Sequence, residues 1–147
     1  GELNWLKNGP RHFGHNKKDK LVGKALYQVS YAPTCSLIIK KDLLKKHNIK
    51  MWEQLFVYYD DYVFCRDLYR AGIKLFYTPT ISLRHKISSS TGANSDFSKF
   101  YQSRNWAYIA RKHKNINVLI VPVLIVINFL TGRKVENSGL IASFKMQ

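Results

Sequence analysis

The spacing of apolar positions changes several times along the chain, and each change predicts an element. Residues 1–24 are mostly polar and basic, reading as a short strand near Leu3 to Leu6 followed by an exposed loop. "ALYQVSY" (25–31) alternates, the period of a half-buried strand. Pro33 interrupts it, and the apolar run in "CSLIIK" (35–40) predicts a second, buried strand. "KDLLKKH" (41–47) predicts one or two helical turns with Leu43 and Leu44 inward. In "DDYVFCRDLYRAG" (60–72), Phe64, Leu68 and Ala71 fall on one face at helical spacing. Asp60 reads as the N-cap of that helix and Gly72 as its stop. Asp61 lies in the first turn, where the helix dipole favours negative charge. "IKLFY" (73–77) and "TISLRH" (80–85) read as strands on either side of Thr78-Pro79. "KISSSTGANSD" (86–96) has the composition of a mobile loop. "FSKFYQSRNWAYIARKHK" (97–114) predicts a long amphipathic helix, with Phe97, Phe100, Tyr101, Trp106, Ile109 and Ala110 supplying much of its apolar surface. No internal repeat is visible.

The segment "INVLIVPVLIVINFL" (116–130) is almost wholly apolar. As a helix it would span roughly 22 Å, short of the roughly 30 Å of a bilayer core. Pro122 would kink it, and Asn117 and Asn128 interrupt it. Arg111, Lys112 and Lys114 precede it, and Arg133 and Lys134 follow. This pattern fits a helix lying in a membrane interface, with a buried core helix or strand pair as the alternative. The chain therefore divides into 1–114 and a basic-flanked apolar segment, 115–147.

Charge narrows the partners. The 147 residues carry 24 Lys+Arg against 9 Asp+Glu, a formal net charge of +15. The partner is expected to be anionic: nucleic acid, an anionic membrane surface or a phosphorylated substrate. A solvated basic surface would have the same charge. With 46% hydrophobic and 14% aromatic residues, the composition argues against disorder, and one domain with a real core is expected. Cys35 and Cys65 stand in apolar surroundings, form no zinc or redox motif, and read as buried, reduced thiols. Acids are scarce in this chain, which makes the adjacent pair Asp60-Asp61 conspicuous. Taken alone, the pair is a helix cap with a spare surface charge.

Four features occur in order: the apolar run "TCSLIIKKDLL", the acidic pair in "YYDDYVFCRDLYRAGIKLFYTP", a His at a predicted strand end in "SLRHKISSS", and "YQSRNWAYIARKH". Together they resemble the C-terminal half of family-two glycosyltransferases, the nucleotide-sugar transferases of the GT-A fold, and in particular the bacterial rhamnosyl- and galactofuranosyl-transferase-like members. The resemblance covers roughly residues 26 to 113. It implies an α/β fold, a mixed sheet with flanking helices, of which this chain is the acceptor-side part. It also implies an inverting transfer of a sugar from a nucleoside diphosphate to a saccharide or lipid-linked acceptor, in bacterial cell-surface polysaccharide synthesis.

The resemblance assigns roles residue by residue. Asp61 becomes the general base that activates the acceptor hydroxyl, and Asp60 orients it or touches the acceptor. His85 becomes a ligand of a divalent ion, Mg2+ or Mn2+, whose other ligands belong to an Asp-x-Asp in the N-terminal half. Lys86 and the loop from Ser88 to Gly92 are expected to cover the diphosphate. Arg104 is expected to meet phosphate or acceptor, or else to be an ordinary helix-surface Arg. Trp52, Tyr58 and Tyr59 are candidates for a sugar platform, with core packing as the alternative. The expected setting is the cytoplasmic face of the bacterial inner membrane, with no nucleic acid bound.

Two departures from the family pattern matter. The acid that often follows two residues after the base is replaced by Val63, and no Asp-x-Asp is present in the chain. The chain begins with Gly and is expected to be part of something longer, with little turnover by itself. The rival readings are a nucleic-acid-binding module and a non-catalytic membrane-associated subunit.

Overall fold

The computed structural model describes residues 1–13, 26–81, 83, 92 and 94–147. The architecture is mixed α/β, with five α-helices and two two-stranded antiparallel sheets among the described residues. The chain folds into two compact units, which divide differently from 1–114 and 115–147. The first gathers Gly1–Asn4, Gly9–Trp52 and Asp60–His85. The second gathers Trp5–Asn8, Glu53–Tyr59 and Lys86–Gln147.

In the first unit, β1 (Glu2–Asn4) pairs with β2 (Gly9–Arg11) in the register Leu3↔Pro10, a pairing that the polar N-terminal sequence did not suggest. β3 (Tyr27–Val29) pairs with β4 (Leu75–Tyr77), Val29 opposite Leu75. Both strands fall inside runs that the sequence marked as strands. α1 (Lys41–Lys46) is the short helix expected around Leu43 and Leu44, which are half-buried. α2 (Asp60–Arg70) packs against β1 and buries Tyr62, Val63, Phe64, Cys65 and Leu68. Gly72 ends α2 at φ +73°, which a side chain rarely adopts. The Ile73 amide returns to the Leu68 carbonyl at 3.0 Å and the Gly72 amide to Tyr69 at 3.0 Å, closing the helix end.

Three expectations in this unit need correction. The buried strand at 35–40 does not form. Thr34–Ser36 is instead a single 3-10 turn, followed by residues in no regular element, among which Ile38 is 97% exposed. Cys35 is consequently exposed rather than buried, because it rides on that turn; Cys65, on the inner face of α2, is buried as expected. The strand at 80–85 is not formed by its described residues: Thr80 and Ile81 lie in a turn and a bend, and Ile81 and Leu83 are exposed. The rest of that segment lies outside the described residues. An apolar run has the length of a strand but makes one only where a neighbour supplies hydrogen bonds.

The second unit is helical. α3 (Asp96–Lys112) starts at Ser95, whose Oγ accepts the Ser98 amide at 3.1 Å. Its apolar surface differs in part from the expected one. Ala107, Tyr108, Ile109 and Ala110 are buried, whereas Phe97 is 40% exposed. The apolar segment after it is broken into a 3-10 turn (Ile116–Ile120) and α4 (Val121–Leu130), with Pro122 in the first turn, where its missing N–H costs nothing. α5 (Lys134–Ser143) was not foreseen, and it packs along α3. Gly139 makes that approach possible: a Cβ there would lie 2.1 Å from Ser103 Oγ and 2.4 Å from the Phe100 carbonyl oxygen. Ala107, Val121 and Leu140 form the common core, with Trp106, Leu124 and Ile125 packed against it. No helix among the described residues is long and apolar enough to cross a membrane.

Candidate functional site

α2 places Asp60 and Asp61 together in its first turn, so Asp60 is the first helical residue rather than a cap before it. Both are half-buried. The Asp61 carboxylate is held at both oxygens. Oδ2 accepts a short hydrogen bond from the Tyr31 hydroxyl, and Oδ1 accepts the Tyr62 backbone amide at 2.7 Å. Tyr31 is itself almost fully buried, 2% exposed, and the His12 ring meets it edge-on at 5.2 Å. Two further bonds fix the segment that carries Tyr31. Cys65 Sγ donates to the Ala32 carbonyl at 3.1 Å, and the Ala32 amide lies 3.4 Å from the same sulfur. α2 therefore holds both the acid and, through Cys65, the chain that presents its partner.

The electrostatics of this pair follow from burial. Desolvation pushes the Asp61 carboxyl above the usual carboxylate range, and neighbouring Asp60 adds to the rise; the bonds from Tyr31 and Tyr62 and the nearby His12 oppose it. Burial, reinforced by the Asp61 charge, pushes the Tyr31 phenol upward, so it remains a neutral donor at physiological pH. Burial likewise lifts the Cys65 thiol to about 11, which makes it a packing and hydrogen-bonding group rather than a nucleophile. Arg66, the basic residue after the acidic pair, is 4% exposed, and burial lowers it to about 10. An ionised carboxylate has about four acceptor positions, and two of Asp61's are taken. It retains capacity to accept a proton from an alcohol.

The other candidate residues occupy separate places. Trp52 Nε1 donates to Asp67 Oδ2 at 3.1 Å, which ties this indole to α2. His85, Lys86 and Ser88 lie outside the described residues. Among the described residues, no three His, Cys, Asp or Glu side chains cluster in a way that could hold a metal ion.

In the second unit, Arg104 Nη2 donates to the carbonyls of Gln54 (3.1 Å) and Leu55 (2.9 Å), and its guanidinium stacks 4.5 Å from the Tyr101 ring. Its neighbour Asn105 is fully buried, with Nδ2 at 3.0, 2.7 and 2.9 Å from the carbonyls of Leu55, Val57 and Tyr58. These two side chains clamp a strained segment: Phe56, Tyr58 and Tyr59 stand at φ +64°, +64° and +66°. Aromatic residues rarely adopt that conformation, and each costs about 1–3 kcal/mol unless the surroundings impose it. The clamped segment is the one that leads along the chain into Asp60.

Sequence reasoning missed Asn105 and Tyr31. Asn in the middle of a long helix is unfavourable by propensity, and that was the available signal for Asn105. For Tyr31, a contact across thirty residues leaves no local trace.

Cavities among the described residues include one in each unit. One of about 560 Å³ in the first unit is lined by Phe13, Gln28, Ser30, Tyr69 and Lys74, and neither acid lines it. Another, of about 320 Å³ in the second unit, is lined by Tyr59, Gln102, Ser103, Trp106, Asn128 and Arg133. Two aromatic rings beside amide, hydroxyl and guanidinium groups are the chemistry that suits a saccharide. No family model, no curated protein and no solved structure matches this chain.

Proposed function

We propose that this chain is the acceptor-side part of an inverting nucleotide-sugar glycosyltransferase of GT-A type, with Asp61 as its general base. One observation carries the reading: a half-buried carboxylate in the first turn of an eleven-residue helix, fixed at both oxygens and raised in proton affinity by burial. A base for an alcohol must be rigid, partly dry and of raised proton affinity, and this environment favours all three.

In the proposed step, Asp61 accepts the proton of the acceptor hydroxyl while the hydroxyl oxygen bonds to the anomeric carbon. The bond from that carbon to the diphosphate breaks, and its electron pair leaves with the diphosphate. Attack from the face opposite the leaving group inverts the anomeric centre. Tyr31 and the Tyr62 amide hold the carboxylate in place throughout. Asp60 keeps its expected part in orienting the acceptor. The acceptor is a saccharide or a lipid-linked glycan.

The test is product analysis. The full-length protein containing this chain is incubated with a panel of nucleoside-diphosphate sugars and saccharide acceptors, and the new linkage is read by proton NMR. Inversion supports the reading; retention of configuration, or no transfer from any donor, overturns it. The +15 charge favours one other reading, a nucleic-acid-binding module. That reading predicts salt-dependent binding to random DNA that is unchanged in Asp61→Asn.

A further inference from the structure

α4 is apolar on every side, yet only one stripe of it is buried. Val121 and Asn128 are buried, and Leu124 and Ile125 pack against the core of the second unit. These four positions follow the three-and-four spacing of a single helix face. Away from that stripe, Val123, Val126, Ile127, Phe129 and Leu130 are 44–79% exposed. The preceding 3-10 turn continues the surface with Ile116, Leu119 and Ile120, 44–66% exposed. A surface helix of a globular protein ordinarily carries polar residues on its outer side. Eight large apolar side chains within fifteen residues, facing water, mark a surface that meets something else.

Charge and length identify the occupant. From Phe97 to Val135 the sequence contains no Asp or Glu but seven Lys or Arg. Four of these bracket the apolar surface and are exposed: Lys112 and Lys114 before it, Arg133 and Lys134 after it. A protein partner for an apolar face needs no such cationic bracket, whereas an anionic lipid surface rewards it. At ten residues, α4 is about 15 Å long, half of the roughly 30 Å hydrocarbon core, so it can lie in a bilayer interface but not cross it.

We infer that the outer face of residues 116–130 docks on an anionic phospholipid bilayer, lying in the plane of the headgroups. Phe129, Leu130, Val123 and Val126 enter the boundary between headgroups and acyl chains, to a depth of about 5–10 Å. The flanking Lys and Arg side chains meet lipid phosphate. Val121, Leu124, Ile125 and Asn128 remain against the protein. This surface stands independently of the sugar-transfer reading.

The experiment is vesicle flotation of the full chain. Vesicles of phosphatidylcholine alone are compared with phosphatidylcholine containing about one third phosphatidylserine. The wild type should float with the anionic vesicles and bind neutral ones at least about tenfold more weakly. The triple variant Val123→Ser, Phe129→Ser, Leu130→Ser alters only exposed positions and should melt like the wild type. It should lose binding about tenfold or more. Arg133→Gln with Lys134→Gln should weaken binding to anionic vesicles and flatten its salt dependence. Asp61→Asn should float unchanged. The inference fails if the wild type ignores anionic vesicles or the triple variant floats like the wild type. It also fails if sedimentation shows that the apolar face instead pairs two copies of the chain, with no vesicle binding.

Discussion

The hydroxyl of Tyr31 donates to the carboxylate of Asp61 across thirty residues of sequence. Because this bond favours the ionised acid, it opposes the upward push of burial. Tyr31→Phe should therefore raise the Asp61 pKa further and, if the proposed sugar transfer takes place, shift the acid limb of its pH–rate profile to higher pH. The carboxyl carbon chemical shift of Asp61, followed through a pH titration, reports the same change without needing activity. A downward or absent shift in both measurements would show that the phenol does not hold the acid.

Burial also makes Asp61 costly at neutral pH. Its folded pKa is raised above the unfolded value, so the folded chain binds more protons between the two. The stability from this group is full below about pH 4, the unfolded value, and is lost as pH rises through the folded pKa. Asp61→Asn is expected to hold or raise the melting temperature at pH 7 and to reduce its fall between acid and neutral pH. A variant melting several degrees lower at pH 7 would contradict this.

Asn105 serves three carbonyls of a strained turn from a fully buried position. Asn105→Ala leaves those carbonyls short of donors and should cost about 2–4 kcal/mol in urea unfolding. Arg104→Lys removes the two-carbonyl contact while keeping the charge. It should cost less, about 1 kcal/mol, because Asn105 still holds the turn.

Gly139 sets the distance between α3 and α5. In Gly139→Ala the new methyl meets Ser103 Oγ and the Phe100 carbonyl oxygen, and the helices must move apart. A loss of about 1–3 kcal/mol is expected in thermal or urea unfolding. Ser103→Ala combined with Gly139→Ala should recover part of it, because one of the two clashing atoms is gone.

The two thiols should differ sharply. Cys35 is exposed on its turn, while Cys65 is buried and its thiol lies at about 11. Ellman's reagent at pH 7.5 should modify one thiol quickly and the second only on unfolding. Equal rates would contradict the packing of Cys65 against Ala32.

Much of the local structure was legible. Gly72 stopped α2, alternation marked β3, and the three-and-four spacing of Phe64 and Leu68 placed the inner face of α2. These features depend on short stretches of chain. Failures came where tertiary neighbours decide. "CSLIIK" has strand composition but no partner strand among the described residues, so Cys35 and Ile38 turn outward. Of the candidate site, the adjacent acids at the start of α2 could be read directly. The Tyr31 bond to Asp61 and the Asn105 clamp could not, because each spans thirty or more residues and neither follows a periodicity.

The proposed role of Asp61 is tested most directly by the rate of the proposed sugar transfer, wild type against Asp61→Asn, with the donor and acceptor that the product analysis identifies. Loss of a positioned general base should slow the reaction about 10²–10⁴-fold with folding intact. Transfer by Asp61→Asn at a rate within about threefold of wild type would show that this carboxylate does not take the proton.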